Sequence, residues 1–191
     1  MNISMKQIPT IVFIHGYTAS HLADWYPAIS PLLHKAGFPY IIPDLPGGKN
    51  PHAAEWLEVL HSHISQLTSP IVLVGHSLGT RAALLYLEKY RPNIEAVFLI
   101  AAFNNKVENG NRRDGETYPD FFEYEIDIES IRPLAKKFVV MHSIDDDSIP
   151  VAQGKEIASL LGAEYLEYQD RGHFCEPKNA EEIFSQIKRH I

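Results

Sequence analysis

The chain has 191 residues, of which 45% are hydrophobic, so it is long enough to form one domain with a substantial core. Its formal net charge of −7, without an extended lysine and arginine cluster, argues against binding to nucleic acid or to an anionic membrane surface. A single cysteine excludes an intramolecular disulfide, and no apolar run is long enough to span a bilayer. The first seven residues lack the apolar core of a signal peptide, which makes the cytoplasm the expected location.

Short strand-like runs alternate with longer helical segments along the first half of the chain. β-Branched residues mark the predicted strands, whereas apolar residues three and four positions apart mark the predicted helices. In chain order this pattern predicts a strand at 10–15, a helix at 25–37, a strand at 39–43, a helix at 53–67, a strand at 70–75 and a helix at 78–90.

The second half continues this alternation with one interruption. It predicts a strand at 94–102, then a polar, later aromatic and acidic stretch at 103–133, a strand at 137–143, a helix at 151–162, a strand at 163–169 and a helix at 179–191. We expect the interruption to be an excursion over the sheet edge and not a second domain. Asn179, with Glu182 three residues later, predicts a capping box for the last helix. The alternation predicts one compact α/β domain, residues 1–191, with about six mostly parallel strands and helices on both faces.

The segment Gly75-His76-Ser77-Leu78-Gly79 stands at the junction between a predicted strand and a predicted helix. In a parallel sheet, that junction lies at the edge where ligands bind. A serine on such a sharp turn projects above the sheet, and glycines on either side avoid a collision between β-carbons and the folded chain. We therefore interpret Ser77 as a nucleophile, and the alternative is a glycine-rich turn with an inert serine.

A serine hydroxyl needs a base to take its proton, and that base needs an acid to orient it. The chain order in hydrolases with this turn is serine, then an acid, then histidine. His173 follows the last predicted strand, where this order requires the base. The acid is one of three consecutive residues after the preceding strand, and these residues by themselves leave the choice open: Asp145, Asp146 and Asp147.

The first predicted strand ends in a His-Gly turn that resembles the oxyanion loop of lipases and esterases. The backbone amides of Tyr17 and Leu78 are the predicted donors to an oxyanion. Aromatic residues nearby, including Tyr26 and the segment 121–124, are candidates for an acyl pocket, although ordinary core packing is the alternative for each. The predicted pocket residues are His15, Gly16, Trp25 and Phe121.

The Gly-x-Ser-x-Gly turn, the "DDDSIP" loop and the "RGHF" loop together resemble the α/β-hydrolase superfamily. The short chain and its "IHGYTAS", "DWYP" and "PDLP" segments are similar to the small serine hydrolases typified by the human retinoblastoma-binding serine hydrolase and bacterial YdeN-like proteins. This resemblance runs from about residue 11 to the last helix and implies a compact hydrolase fold without a large lid. It also implies that Asp146 is the acid, since the family's aspartate lies four residues before a proline, here Pro150. The Leu-x-Cys-x-Glu motif is absent, because Cys175 is the single cysteine, so no regulatory protein partner is implied.

The predicted function is hydrolysis of a small ester-like substrate, which is a carboxylic ester, a thioester or an amide, by Ser77, His173 and Asp146. We expect no cofactor and no metal, a small-molecule acyl substrate as the partner, and a monomer or small homo-oligomer. The alternative from a different class is a hydrolase-shaped binding module with little or no turnover. A nucleotide-binding domain is disfavoured, because neither a Gly-x-Gly-x-x-Gly fingerprint nor a P-loop is present.

Overall fold

The computed structural model describes residues 7–105 and 118–191, and within these ranges six strands form one sheet. The strands are β1 (Thr10–Ile14), β2 (Tyr40–Ile41), β3 (Ile71–His76), β4 (Ala96–Ile100), β5 (Phe138–Ser143) and β6 (Glu164–Tyr168). Their order across the sheet is β2-β1-β3-β4-β5-β6, and every neighbouring pair is parallel. The predicted α/β fold with about six mostly parallel strands is therefore confirmed.

Helices cover both faces of this sheet, as the sequence predicts. They are α1 (Tyr26–Ala36), α2 (Ala53–Ile64), α3 (Leu78–Tyr90), α4 (Ile128–Ile131), α5 (Val151–Leu161) and α6 (Asn179–His190). Successive side chains of a strand point to opposite faces. In β1, Ile11 and Phe13 pack in the cluster that contains α1 and α6, whereas Val12 and Ile14 pack in the cluster with α2, α3 and α5. None of the helices in the described ranges combines the length and the apolar character needed to cross a bilayer.

The strand order reverses direction between β1 and β3. From β1 the chain moves outward to β2, returns to β3 and then continues on the other side through β4, β5 and β6. Ligands of parallel sheets bind at such a reversal, outside the carboxyl ends of the strands. The register pairs Ile14 with Gly75, so the loops that follow β1 and β3 lie side by side at this position.

Residues 118–134, called here the cover segment, contain little regular structure besides α4 and two 3₁₀ turns, Pro119–Phe122 and Arg132–Leu134. The buried Arg81 of α3 donates to the carbonyl oxygens of Phe121 at 2.7 Å and Tyr124 at 2.6 Å. Asp120 accepts the backbone amide of Ala53 of α2 at 2.9 Å. The described part of the predicted excursion packs on α2 and α3, and its Tyr118 also contacts Tyr17 of the loop after β1. Residues 106–117 lie outside the described ranges.

The start of α6 also differs from the prediction. Asn179 is the first residue of the helix and not its cap, and its buried side chain makes no hydrogen bond with the described residues. Glu182 accepts a hydrogen bond from the Tyr168 hydroxyl at 2.8 Å. The predicted capping box is wrong, because tertiary packing buries one of its side chains and pairs the other with β6.

Candidate active site

Ser77 occupies the sharp turn between β3 and α3, with φ of 52° and ψ of −122°. A positive φ is uncommon for a residue with a β-carbon, and the surrounding structure must hold it in place. A β-carbon on Gly75 would lie 2.7 Å from the carbonyl oxygen of Gly79, and one on Gly79 would collide with the carbonyl oxygen of Ile14. The two glycines are therefore required by close backbone packing around the serine, as predicted.

The Ser77 hydroxyl lies within hydrogen-bond distance of an imidazole from the loop after β6. Ser77 Oγ is 2.8 Å from His173 Nε2. On the other side of the ring, His173 Nδ1 is 2.9 Å from Oδ2 and 3.1 Å from Oδ1 of Asp146. The Asp146 carboxylate is fully buried, whereas the His173 side chain is 16% exposed. The three side chains that the sequence singled out thus form one continuous chain of hydrogen bonds.

The Asp146 carboxylate is held by the backbone of its own loop as well. Its Oδ1 accepts the amides of Ser148 and Ile149, both at 2.9 Å. Burial alone would raise the pKa of Asp146, but the hydrogen bond and charge of His173 and these two amides lower it below its ordinary value of 3.8. The carboxylate is therefore ionised at neutral pH, and it favours the tautomer in which His173 Nε2 can accept a proton from Ser77.

Asp145, the alternative acid, has different partners. Its carboxylate accepts the Ser143 hydroxyl and the backbone amide of Gly172, the latter at 3.0 Å. The bond to Gly172 connects the loop after β5 to the loop that carries His173. Asp146 thus faces the imidazole of His173, whereas Asp145 joins the two loops.

Two further histidines support the site, and sequence analysis missed both. His76 Nε2 donates to the carbonyl oxygen of His173 at 2.8 Å, so its side chain lies against the loop that carries His173. His142 Nε2 lies 3.1 Å from the carbonyl oxygen of Ile149 and 3.5 Å from Asp146 Oδ2. Burial lowers the pKa of His76 to about 3 and also lowers the pKa of His142. Their positions in the sequence could have indicated this role, because His76 is the last residue of β3 and His142 the last but one of β5, and a candidate catalytic residue follows each strand.

A cavity of about 270 Å³ opens beside Ser77. A β-carbon on Gly16 would lie 3.1 Å from Cβ of Ser77, so the loop after β1 packs directly against the serine. Tyr17 follows Gly16 on this loop, and Leu78 is the first residue of α3, where a backbone amide has no acceptor within the helix. The residues that line the cavity are Gly16, Tyr17, Thr18, Ala19, Ala23, Asp24, His76, Ser77, His173 and Cys175.

Of the four predicted pocket residues, Gly16 lines this cavity and His15 does not. The buried His15 accepts the backbone amide of Leu45 at Nε2, at 2.9 Å, and its Nδ1 donates to the carbonyl oxygen of Gly16 at 2.8 Å. Burial lowers the pKa of His15, so the ring is neutral. Its two hydrogen bonds hold the loop after β1 against the segment that contains Leu45.

Trp25 and Phe121 are also core residues and not part of the cavity wall. Trp25 is fully buried and packs edge-on against Phe13 of β1. Phe121 is fully buried and packs edge-on against Trp56 of α2. The prediction that these two side chains line the pocket is therefore wrong, and the alternative, ordinary core packing, is correct.

Comparisons with known proteins agree with this architecture. The profile of the serine hydrolase family matches residues 11–187. YdeN of Bacillus subtilis (strain 168) is 30% identical over 168 residues, which are 87% of this chain and 86% of YdeN. The crystal structure of the ydeN gene product has a TM-score of 0.85 and 26% identity over 95% of this chain and 98% of that one.

More distant structures share the fold. Est1E from Butyrivibrio proteoclasticus has a TM-score of 0.74 at 14% identity, over 97% of this chain and 88% of Est1E. The methylesterase protein MES16 from Arabidopsis has a TM-score of 0.70 at 16% identity, over 95% and 98% of the two chains. The family profile, the identity to YdeN and the shared α/β-hydrolase fold lead to one conclusion: this chain belongs to the serine hydrolase family.

Proposed function

We propose that the chain hydrolyses small ester-like substrates through Ser77, His173 and Asp146. The observation that carries the proposal is the 2.8 Å contact between Ser77 Oγ and His173 Nε2, with Asp146 at 2.9 Å from Nδ1 of the same ring. A serine hydroxyl is a weak nucleophile alone, and a neutral imidazole held by an ionised carboxylate is the base that removes its proton.

In the first half of the reaction, Ser77 Oγ bonds to the carbonyl carbon while its proton passes to His173 Nε2. Asp146 stabilises the imidazolium that forms. The negative charge on the former carbonyl oxygen is stabilised by hydrogen bonds from the backbone amides of Leu78 and Tyr17. His173 then gives its proton to the leaving alkoxide as the carbon–oxygen bond breaks, and the acyl group stays on Ser77.

In the second half, a water molecule adds to the acyl carbon and gives a proton to His173 Nε2. Collapse of this second intermediate returns the proton to Ser77 Oγ and releases the carboxylic acid. These steps balance without a metal or an organic cofactor. Thioesters and amides would follow the same steps with a thiolate or an amine as the leaving group.

The size of the cavity supports a small substrate. Its volume of about 270 Å³ lies just below the usual range for small-molecule sites, roughly 300–1,000 Å³. A short acyl or alcohol group fits this space better than a long lipid chain does.

Covalent labelling and ester hydrolysis test the proposal together. A fluorophosphonate probe should label the wild-type protein at Ser77, and Ser77→Ala or His173→Ala should lower turnover of p-nitrophenyl esters by up to about 10⁶-fold. Ser62→Ala, on the exposed side of α2, is the matched control and should keep both activities. A folded wild-type protein that takes no probe and cleaves no ester in an acyl-length panel contradicts the proposal and favours a binding module.

A further inference from the structure

The wall of the catalytic cavity contains a carboxylate that the steps above do not use. Asp24 lies in the turn before α1 and lines the cavity together with Ser77 and His173. Its side chain is 18% exposed, so it is largely buried yet open to the cavity. It has a φ of 51°, in the left-handed region where aspartate and asparagine are tolerated better than most residues.

His76 presents a second hydrogen-bond acceptor next to Asp24. A carbonyl oxygen can only accept, so the bond between His76 Nε2 and the His173 carbonyl places the proton on Nε2. In the neutral ring, Nδ1 is then an acceptor. This atom is buried, has no hydrogen-bond partner among the described residues and lies 3.7 Å from Oδ2 of Asp24. The ring is neutral at physiological pH, because burial lowers the pKa of His76 to about 3.

No lysine or arginine side chain forms an ion pair with Asp24 within residues 7–105 and 118–191. Within these residues, Asp24 lies 3.7 Å from His76, whose ring is neutral. Burial raises the pKa of Asp24, and the nearby Cys175 thiol and the charge of His173 offset this only in part. A cation bound at this place would stabilise the ionised carboxylate, because an opposite charge favours the charged form.

We propose that Asp24 and His76 Nδ1 form a subsite for a primary ammonium group, so that the enzyme prefers esters bearing an ammonium near the scissile bond. An ammonium nitrogen within ordinary hydrogen-bond distance of both acceptors bridges them, with one N–H directed to each. A methyl group of the same size leaves both acceptors unsatisfied. This inference rests on the proposed function, since it identifies the substrate class of the same site.

Matched substrate pairs test the subsite from both sides of the ester. On the acyl side, the p-nitrophenyl ester of β-alanine is compared with that of butyric acid, which has a methyl group in place of the ammonium. On the alcohol side, p-(aminomethyl)phenyl acetate is compared with p-ethylphenyl acetate. In at least one pair we expect kcat/KM of the wild-type enzyme to be about tenfold or more higher for the ammonium ester, as for a charge-assisted hydrogen bond.

The Asp24→Asn variant keeps a residue that tolerates the left-handed backbone but removes the charge. We expect the ratio of kcat/KM between the ammonium and the neutral ester to fall to about one in this variant. Asp170→Asn is the matched control, because it makes the same change of charge on a side chain that is 80% exposed and outside the cavity wall. Its ratio should equal that of the wild type.

The outcomes separate this inference from the proposed function. Wild-type cleavage of the neutral esters that depends on Ser77 but shows no ammonium preference in either pair overturns the subsite alone. A preference that persists in Asp24→Asn, or that Asp170→Asn loses equally, overturns it as well. Absence of both ester cleavage and fluorophosphonate labelling overturns the proposed function, and the subsite with it.

Discussion

The carboxyl edge of the sheet, meaning the loops that follow β1, β3, β5 and β6, is held in place differently from the cover segment. At the edge, the candidate catalytic side chains lie one to five residues beyond strand ends, and bonds such as that between Asp145 and Gly172 join one loop to the next. The cover segment is instead held by side chains of neighbouring helices and by its own buried apolar residues: Arg81 donates to the carbonyl oxygens of Phe121 and Tyr124, and Glu88 accepts the amide of Asp127. Regular strand ends thus position the candidate catalytic side chains, whereas scattered side-chain contacts position the irregular segment.

Each region also has its own cavity, and no residue lines both. The cavity at the edge has a volume of about 270 Å³, and the one beside the cover segment has about 570 Å³. The larger cavity is lined by residues that include Arg81, Tyr124 and Glu156. Ser77, His173 and Asp146 are not among its lining residues. The size of a cavity is therefore a poorer guide to the candidate active site than the convergence of loops at strand ends.

The largest effect that we predict is a loss of activity caused by a substitution at the carboxyl edge, which leaves the cover segment unchanged. Asp146→Asn should lower kcat for ester hydrolysis by about 10⁴-fold, because the amide no longer holds the productive tautomer of His173. Asp145→Asn should retain most of the activity, since Asp145 connects loops and does not face the imidazole. Steady-state kinetics on one p-nitrophenyl ester compares the two variants, and equal losses would contradict the assignment of Asp146.

Acid should destabilise the edge more than the cover segment, which contains no histidine. Burial lowers the pKa values of His15, His76 and His142 from 6.5, so below that pH the unfolded chain binds protons that the folded chain does not. These three groups therefore do not reduce stability above pH 6.5, and they reduce it increasingly as the pH falls from 6.5 toward the folded pKa values. The free energy of unfolding should drop by up to about 1.4 kcal/mol per pH unit for each histidine, or about 4 kcal/mol for three.

Urea unfolding measured from neutral pH to about pH 5 checks this slope. The variant His142→Gln should reduce the slope, because one of the three buried imidazoles is removed. A free energy of unfolding that stays constant over this range would show that the three rings are not held neutral.

A change in the cover segment should cost stability while leaving the serine reactive. Arg81→Met should lower the free energy of unfolding by about 3 kcal/mol, because one buried and one partly buried carbonyl oxygen lose a charged donor. Arg132→Met is the control, since the surface pair of Arg132 with Glu129 contributes at most about 1 kcal/mol. Hydrogen exchange should show increased opening of residues 118–134 in Arg81→Met alone, and loss of fluorophosphonate labelling would mean that the two regions are coupled.

The smallest predicted effect concerns the cap of α4. Asp127 accepts the backbone amide of Ser130 at 3.2 Å, so Asp127→Ala should lower stability by about 1 kcal/mol. Asp127→Asn keeps a capping acceptor and should change the thermal midpoint little. A larger loss in the asparagine variant than in the alanine variant would argue against the capping role.

The amino-acid sequence by itself determined the element order, the parallel sheet and the candidates Ser77 and His173. Strand and helix periodicity is a local property, and the turn around Ser77 needs glycines at fixed neighbouring positions. The acid could not be chosen from the residues alone, because Asp145 and Asp146 are adjacent. The choice depends on which carboxylate reaches an imidazole 27 positions later in the chain, and the family resemblance, not periodicity, selected Asp146.

Only the tertiary structure decided which side chains surround Ser77. It buried Trp25 and Phe121 in the core, turned His76 toward the loop of His173 and brought Asp24 to the cavity wall. Periodicity reports which face of a strand or helix is apolar, but the contacts of a given side chain depend on elements far away in the chain. Pockets and supporting hydrogen bonds are made by such distant contacts, and this is why they emerged only from the folded structure.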